Sequence, residues 1–524
     1  MTISKFSLAL LFLFVIHGCT TEPGDSPERY SILIINGTVY DGSLAPASNV
    51  NIGITGDRIA SMDAAADALA DLKIDASGLT VVPGFIDPHT HAGGDLLDDT
   101  RKSNINYLTQ GVTTVFVGSD GGGLVDRAQK IATMQEQGTG PSVGYFSGHG
   151  MVRQAILGME ARAPTDEELQ QMRDLVEADM RAGALGLSTG LYYAPGSYSE
   201  TSEVIELAKV AAQYGGVYDS HLRDESSYNI GLLGAIGEVI EIGETANIPV
   251  HIAHIKALGR DVWGQSGDVI GLVAAARERG VEITADQYPY RASGTSFGGA
   301  LVPRWVMADS RETMSARFAN PDLEDRIREE MSANLYRRGG AESLLVTGES
   351  EWRGQTLEQI AERMNTDAIT AAIAVVEGGD PSVASFNMQV SDIDALAMQD
   401  WVMTGSDGSA GHPRKFGTYP KAYQDMVASK SLFPMEQFVH RGSGLVADAF
   451  YLCDRGYLQA GRKADIAILD LANYRPVADF ENPTLLATGV SHLLVNGRAA
   501  ITDGQYTGTL PGSVIDRQNL ECPN

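Results

Sequence analysis

The chain has 524 residues, of which 43% are hydrophobic and 20% charged, and a formal net charge of −28. That length holds a barrel-sized domain plus a smaller one, in an ordinary globular composition. The charge argues against binding nucleic acid or an anionic membrane through a basic surface. The cysteines number only three, Cys19, Cys453 and Cys522, so a disulfide framework and a Cys-rich zinc site are excluded.

In chain order, the first element is not part of the fold. Lys5 precedes an apolar run over 6–16 that is too short to span a bilayer as a stable helix. Ile16-His17-Gly18-Cys19 resembles a bacterial lipobox, although His17 is unusual in one. Residues 1–18 are therefore expected to be a lipoprotein signal peptide and Cys19 the lipidated residue. Residues 19–29, rich in Thr, Pro, Asp and Glu, are expected to be a tether. The expected location is outside the cytoplasm, lipid-anchored at a bacterial membrane and facing the periplasm; an ordinary signal peptide or an uncleaved anchor is the alternative. An exported chain could pair Cys453 with Cys522, but nothing in the sequence brings them together, and both states stay open.

Residues 30–83 are β-rich. A strand-forming run over 31–35 leads into Asn36-Gly37, a hairpin signal, and 50–54 leads into Gly56-Asp57. At the other end, 464–470 alternates like a strand and 490–497 repeats the strand-then-Asn-Gly pattern. Residues 30–83 and 446–524 are expected to form one small β-sandwich from both chain ends. Between them lie eight strand-then-helix units, the requirement of a TIM-like (β/α)8 barrel in the α/β class. Residues 84–302 hold seven of these strands, and 392–445 holds the eighth with its following helix. The stretch 303–391 is far too long for one connection and is expected to be an inserted α-rich subdomain, with helices over 322–333 and 356–364.

Polar residues recur where the apolar strands stop, which is where barrel enzymes place their sites. The first strand runs through Val81-Val82-Pro83-Gly84-Phe85-Ile86-Asp87-Pro88-His89-Thr90-His91. In an extended segment residues two apart share a side, so His89 and His91 can offer two imidazoles to one zinc-like ion. His221 and His254 end the fifth and sixth strands, and Asp407 in Thr404-Gly405-Ser406-Asp407-Gly408 ends the eighth.

This order of ligand types resembles the amidohydrolase superfamily, which hydrolyses amides at metal centres inside (β/α)8 barrels. A closer resemblance, covering nearly the whole chain after the tether, is to the D-aminoacylase (N-acyl-D-amino-acid deacylase) family. It rests on Gln110-Gly111-Val112-Thr113-Thr114, on Gly148-His149-Gly150-Met151-Val152-Arg153 and on the Gly-rich run 183–191. It also rests on Ser220-His221-Leu222-Arg223-Asp224-Glu225, on Tyr288-Pro289-Tyr290 and on His412-Pro413-Arg414-Lys415-Phe416-Gly417-Thr418.

The resemblance implies that His89, His91, His221, His254 and Asp407 bind zinc or another divalent metal, as one or two ions. Asp407 would also move the proton. It further implies that Lys256, Tyr288 and Arg414 hold the α-carboxylate of a small acyl-amino acid, with Tyr290 able to take the place of Tyr288. The physical logic of that clamp is sound, since a guanidinium fork, an ammonium and a phenol all donate to a carboxylate. At one point the chain departs from the family, whose well-known members carry a cysteine ligand after the second strand. Here Gly118-Ser119-Asp120-Gly121 stands there, and the fourth strand, Leu187-Ser188-Thr189, has no lysine to be carboxylated. Asp120 is then either a carboxylate bridging two ions or a turn residue beside one.

The implied activity is hydrolysis of the linear, non-peptide amide of N-acyl-D-amino acids. A dipeptidase with the same carboxylate clamp, a cyclic-amide hydrolase, and a non-catalytic binding lipoprotein are the alternatives.

Overall fold

Eight short strands, rich in β-branched residues, are buried almost throughout, and they set the frame of the molecule. In the computed structural model, which describes residues 1–2, 28–123 and 127–523, these are β1 (Phe85–Asp87), β2 (Val112–Val117), β3 (Ser142–Tyr145), β4 (Gly186–Gly190), β5 (Val217–His221), β6 (Val250–Ile252), β7 (Ile283–Gln287) and β8 (Val402–Thr404). The expected signal peptide and Cys19 lie outside the described residues. Among the described residues, no helix is long and apolar enough to cross a membrane.

All neighbouring barrel strands pair in parallel. β3 is interrupted at Phe146, and its continuation Ser147–Gly148 pairs with β4. The circle closes just beyond the ends of β1 and β8. There Thr90 bridges Gly408 in parallel, and the Asp407 amide donates to the His89 carbonyl at 2.9 Å. Amphipathic helices pack outside; the helix Asp166–Arg181 starts on a capping box in which Thr165 and Glu168 satisfy each other's backbone amides.

The two chain ends share one β-sandwich. Its first sheet is ordered Arg58–Ser61, Ile52–Thr55, Arg29–Ile35, Leu69–Asp75. In the second sheet Thr80–Pro83 pairs antiparallel with Ile466–Leu469, which pairs in turn with Val490–Val495. Ile32, Ile52, Ile54, Val81, Ile466 and Leu494 fill the space between the sheets.

Two boundaries differ from the sequence-based expectation. The first concerns the C-terminal part of the sandwich, which does not begin at residue 446. The helix Gly444–Ala449 and residues up to Leu452 belong to the barrel instead. Phe450 and Leu452 pack with Ile86, Phe116, Leu185, Val217 and Met403, closing the barrel on the side where its strands begin. An apolar stretch following the last barrel helix finds its burial there rather than in the sheet. The second concerns the insertion, which begins at Ala292–Ser296, ends with Ser382–Phe386, and is not purely helical. These two strands and Leu344–Val346 form a three-stranded antiparallel sheet. The sequence Ala-Ser-Gly-Thr-Ser lacks the apolar alternation that marks a strand. The insertion has its own core, including Phe297, Leu301, Met331, Leu357 and Val383.

Cys453 and Cys522 form a disulfide, with Cα atoms 5.2 Å apart and a separation of 69 positions in sequence. It ties the chain terminus to the segment that closes the barrel. The tail between them also bridges back to β3, through Val514 and Val143. Closing a loop of this size typically stabilises by about 2–4 kcal/mol. The variant Cys522→Ser should therefore unfold at lower denaturant concentration, by a margin equivalent to about that energy, and a reducing agent should shift the unmodified protein but not the variant.

Candidate metal centre

Asp120 sits on a loop pressed closely against the barrel backbone. A Cβ added to Gly148 would lie 1.7 Å from the Gly122 carbonyl oxygen, and one added to Gly190 would lie 2.2 Å from that of Asp120. Bare backbone at the ends of the third and fourth strands is thus what lets the loop seat directly on the barrel. Ser188 on β4 fastens it, accepting from the Gly121 amide at 3.2 Å while donating to Asp219 at 2.8 Å. On the strand that carries no lysine, the serine anchors the loop that delivers Asp120.

Three residues at this centre occupy the left-handed backbone region, Asp120 at φ 57°, His254 at φ 34° and Asp407 at φ 47°. Such conformations are uncommon outside glycine, and they cluster where surrounding structure holds a functional side chain in place. The His254 amide donates to Asp286 Oδ2 at 3.1 Å, and His251 Nε2 lies 3.0 Å from the same oxygen, so a second buried carboxylate fixes the backbone under His254.

The six residues expected as ligands converge. Asp120 Oδ1 lies 3.2 Å from His89 Nε2, 3.4 Å from His221 Nδ1 and 3.3 Å from His254 Nε2. Its Oδ2 lies 3.4 Å from His91 Nε2, which is 3.1 Å from Asp407 Oδ1. His221 Nδ1 and His254 Nε2 are 2.9 Å apart. Burial alone would raise the Asp120 pKa, but the facing imidazoles of His89 and His221 hold the carboxyl well below the usual range. For Asp407 burial also pushes upward, and Arg414 and His254 outweigh it, so this carboxyl too is held ionised.

The three residues expected to clamp a carboxylate do not share one position. Lys256 and Tyr288 line a cavity of about 370 Å³ together with His91, Asp120, His221, His254 and Asp407. Arg414 is buried behind it, its Nη1 2.7 Å from Asp407 Oδ2, its Nη2 donating to Ser409, and its guanidinium 4.6 Å above the Tyr288 ring. The buried Tyr288 hydroxyl has no hydrogen-bond partner in the protein, and burial pushes its pKa well above the ordinary value, so it stays a donor. Tyr290 does not line this cavity and lies against His412 instead.

Sequence reasoning assigned no role to Glu225, which joins His254 Nδ1 at 3.1 Å to Lys256 Nζ at 2.5 Å. Burial raises its pKa, yet the Lys256 ammonium outweighs that and keeps it ionised. Its spacing of four residues from His221 was an available signal. No comparable signal marks Arg338, which reaches the same cavity from the insertion.

The donor set fits a divalent cation. Neither ring nitrogen of the fully buried His89 has a hydrogen-bond partner in the protein, an expensive condition for a polar group unless something else binds it. Donor atoms of His89, Asp120, His254 and Asp407 all lie within 4.8 Å of one another. Imidazole and carboxylate together suit zinc-like ions.

A (β/α)8 barrel whose strand ends gather four imidazoles and two carboxylates has the architecture of a metal-dependent amidohydrolase. Known proteins make the assignment narrower. No protein-family model matches the chain. It is 32% identical to a D-aminoacylase of Alcaligenes xylosoxydans xylosoxydans, over 94% of this chain and 98% of that protein. The structure superposes on the N-acyl-D-glutamate deacylase of Bordetella bronchiseptica, solved with zinc and a phosphonate mimic of the tetrahedral intermediate, with a TM-score of 0.81 at 28% identity; the match covers 93% of this chain and all of that one. A D-aminoacylase with a binuclear metal centre, described by one-metal activation and second-metal attenuation, matches with a TM-score of 0.79 at 29% identity over the same shares. The chain belongs to the D-aminoacylase family of the amidohydrolase superfamily.

Replacing Asp120 tests the centre directly. Asp120→Ala should lose zinc on dialysis, by elemental analysis, with an unchanged circular dichroism spectrum. Asp120→Cys should keep zinc, because thiolate is also a good ligand. Full metal content in the alanine variant would reduce Asp120 to a turn residue.

Proposed function

We propose that the chain hydrolyses the amide bond of N-acyl-D-amino acids, releasing a carboxylate and a D-amino acid. The observation that carries this reading is the six-donor set at one end of a cavity whose wall also presents Lys256 and the unpartnered Tyr288 hydroxyl. The preference for the D form is supported by the activities of the relatives.

His89, His91, Asp120, His221, His254 and Asp407 would hold one or two divalent ions, zinc foremost. The two oxygens of Asp120 face different imidazoles, Oδ2 toward His91 and Oδ1 toward the other three, which supports a bridging role. A divalent ion there would polarise the scissile carbonyl and make water a stronger acid. The protein's own part is proton transfer and positioning. Asp407, kept ionised by Arg414, takes the proton from the attacking water and returns it to the amide nitrogen, a poor leaving group until protonated. Tyr288 donates to the substrate α-carboxylate, with Lys256 and Arg414 supplying positive charge near its ring, 5.7 and 4.6 Å from the ring centre. With carboxylate and carbonyl both fixed, the side chain has one direction to take, so one enantiomer fits.

Location belongs to the same proposal. Lys5, the apolar run after it and Gly18-Cys19 support export with lipid on Cys19, and mass spectrometry of the mature N-terminus decides it.

Two substitutions separate the roles. Asp407→Asn should retain the fold and lose on the order of 10²- to 10⁴-fold in kcat, since the amide cannot carry the proton; near-normal turnover would remove Asp407 from the reaction. Tyr288→Phe removes a hydrogen bond to a charged group, a loss of about 1.5–3 kcal/mol, so kcat/KM for the free acid should fall about 10- to 100-fold. The methyl ester of the same substrate should lose much less. Faster turnover of N-acetyl-L-amino acids than of their D forms would overturn the assigned stereochemistry.

A further inference from the structure

Arg338 is a charged group on the cavity wall that the proposed reaction does not use. It caps the C-terminal end of the insertion's helix Glu324–Arg337 and is only 3% exposed. Its Nη2 donates to the Tyr192 hydroxyl at 3.0 Å and its Nη1 to Ser293 at 3.4 Å, while its Nε has no partner. Its side-chain hydrogen bonds go to hydroxyls, and among the described residues it has no carboxylate partner. A buried guanidinium without a counter-charge is costly, and proteins ordinarily pair one or use it.

The surroundings repeat the pattern. Arg304 stacks 4.0 Å over the Tyr192 ring and Arg337 lies 5.4 Å from the Tyr228 ring, over which Arg338 also sits at 5.6 Å. Arg304 donates to the Gly299 carbonyl, and Arg337 to Ser227 and Asn334. Three arginines thus gather around the two tyrosines at the edge of the cavity that also holds the metal ligands, in a chain whose net charge is −28. Thr347 and Ser382 from the insertion add further hydroxyls to the same wall. A planar fork backed by aromatic rings and flanked by hydroxyls is suited to bidentate carboxylate recognition.

We propose that Arg338 is a specificity-determining residue that binds a second carboxylate of the substrate, one beyond the α-carboxylate. Resting on the deacylase reading, this narrows the substrate to a dianionic N-acyl-D-amino acid. The second charge sits either on the amino-acid side chain, as in glutamate or aspartate, or at the far end of a dicarboxylic acyl group.

The test compares kcat/KM of the zinc-loaded full chain on four substrates, with and without Arg338→Gln. N-acetyl-D-glutamate against N-acetyl-D-glutamine isolates a side-chain charge at nearly constant shape. N-succinyl-D-leucine against N-acetyl-D-leucine asks for a charge on the acyl side. One charged member should exceed its neutral partner by at least about tenfold, the size of a single good charge-assisted contact. Arg338→Gln should bring that ratio towards one, with activity on the neutral partner retained. Hydrolysis of the neutral substrates with no gain for either charged one overturns the second site and leaves the deacylase reading standing; hydrolysis of none of the four overturns both. A charge preference that survives in Arg338→Gln removes Arg338 from the role. If that variant does not fold, Arg338→Lys serves in its place: it keeps the charge but not the fork, and should lower the ratio without abolishing it, whereas an unchanged ratio would remove Arg338.

Discussion

One buried carboxylate held among four imidazoles organises the upper face of this barrel. Burial by itself would raise the Asp120 pKa, and the imidazoles facing it outweigh that and hold the carboxyl well below the usual range. The backbone is shaped to that end, with a loop lying flat on Gly148 and Gly190 and a left-handed conformation at the aspartate itself. The first and eighth strands meet through Thr90 and Gly408, which brings His91 and Asp407 into contact although they are 316 residues apart. Strain at three ligand positions is tolerable because eight paired strands over-determine them.

Barrel and insertion divide the work. The barrel contributes all six candidate metal donors, from its strand ends and the loops that follow them. The insertion contributes the opposite wall, and it does so from a body with a hydrophobic core of its own. A separately packed wall can change its side chains without disturbing the donors. On the proposed reading the barrel carries the chemistry and the α-carboxylate contact, while the insertion adds contacts to the rest of the substrate, a division by which one fold can host several related activities.

What the sequence disclosed followed from the range of the interactions involved. His-x-His at a strand end, the strand-then-helix rhythm and the aspartate after the eighth strand are local patterns; they identified the barrel and named side chains that the fold brings together. The function of Ser188 was invisible, because its partner Gly121 is 67 residues away and a serine in a strand carries no signal of its own. The disulfide and the closure of the barrel by Phe450 depend on where the last residues return, and no short motif records that. Arg338 reads in sequence as one of two arginines ending a surface helix; only the folded insertion turns it inward and leaves it without an acid. The small sheet of the insertion was missed for a plainer reason, since its first strand is built of small polar residues.

The sandwich made from both ends of the chain imposes an order of assembly. Arg58 donates to the Gly461 carbonyl across 403 residues, and Thr80–Pro83 lies between a strand from its own end and Ile466–Leu469 from the other. A chain that emerges N-terminus first must therefore keep half of a sheet waiting, with its edge unpaired, until nearly everything else has been made. Unpaired edges are where chains stick to one another, and contacts this distant in sequence are the slowest to form. Loss of the last sixty residues would thus do more than shorten the protein: it would leave that edge permanently open beside a finished metal site, a species prone to aggregate rather than merely to be inactive.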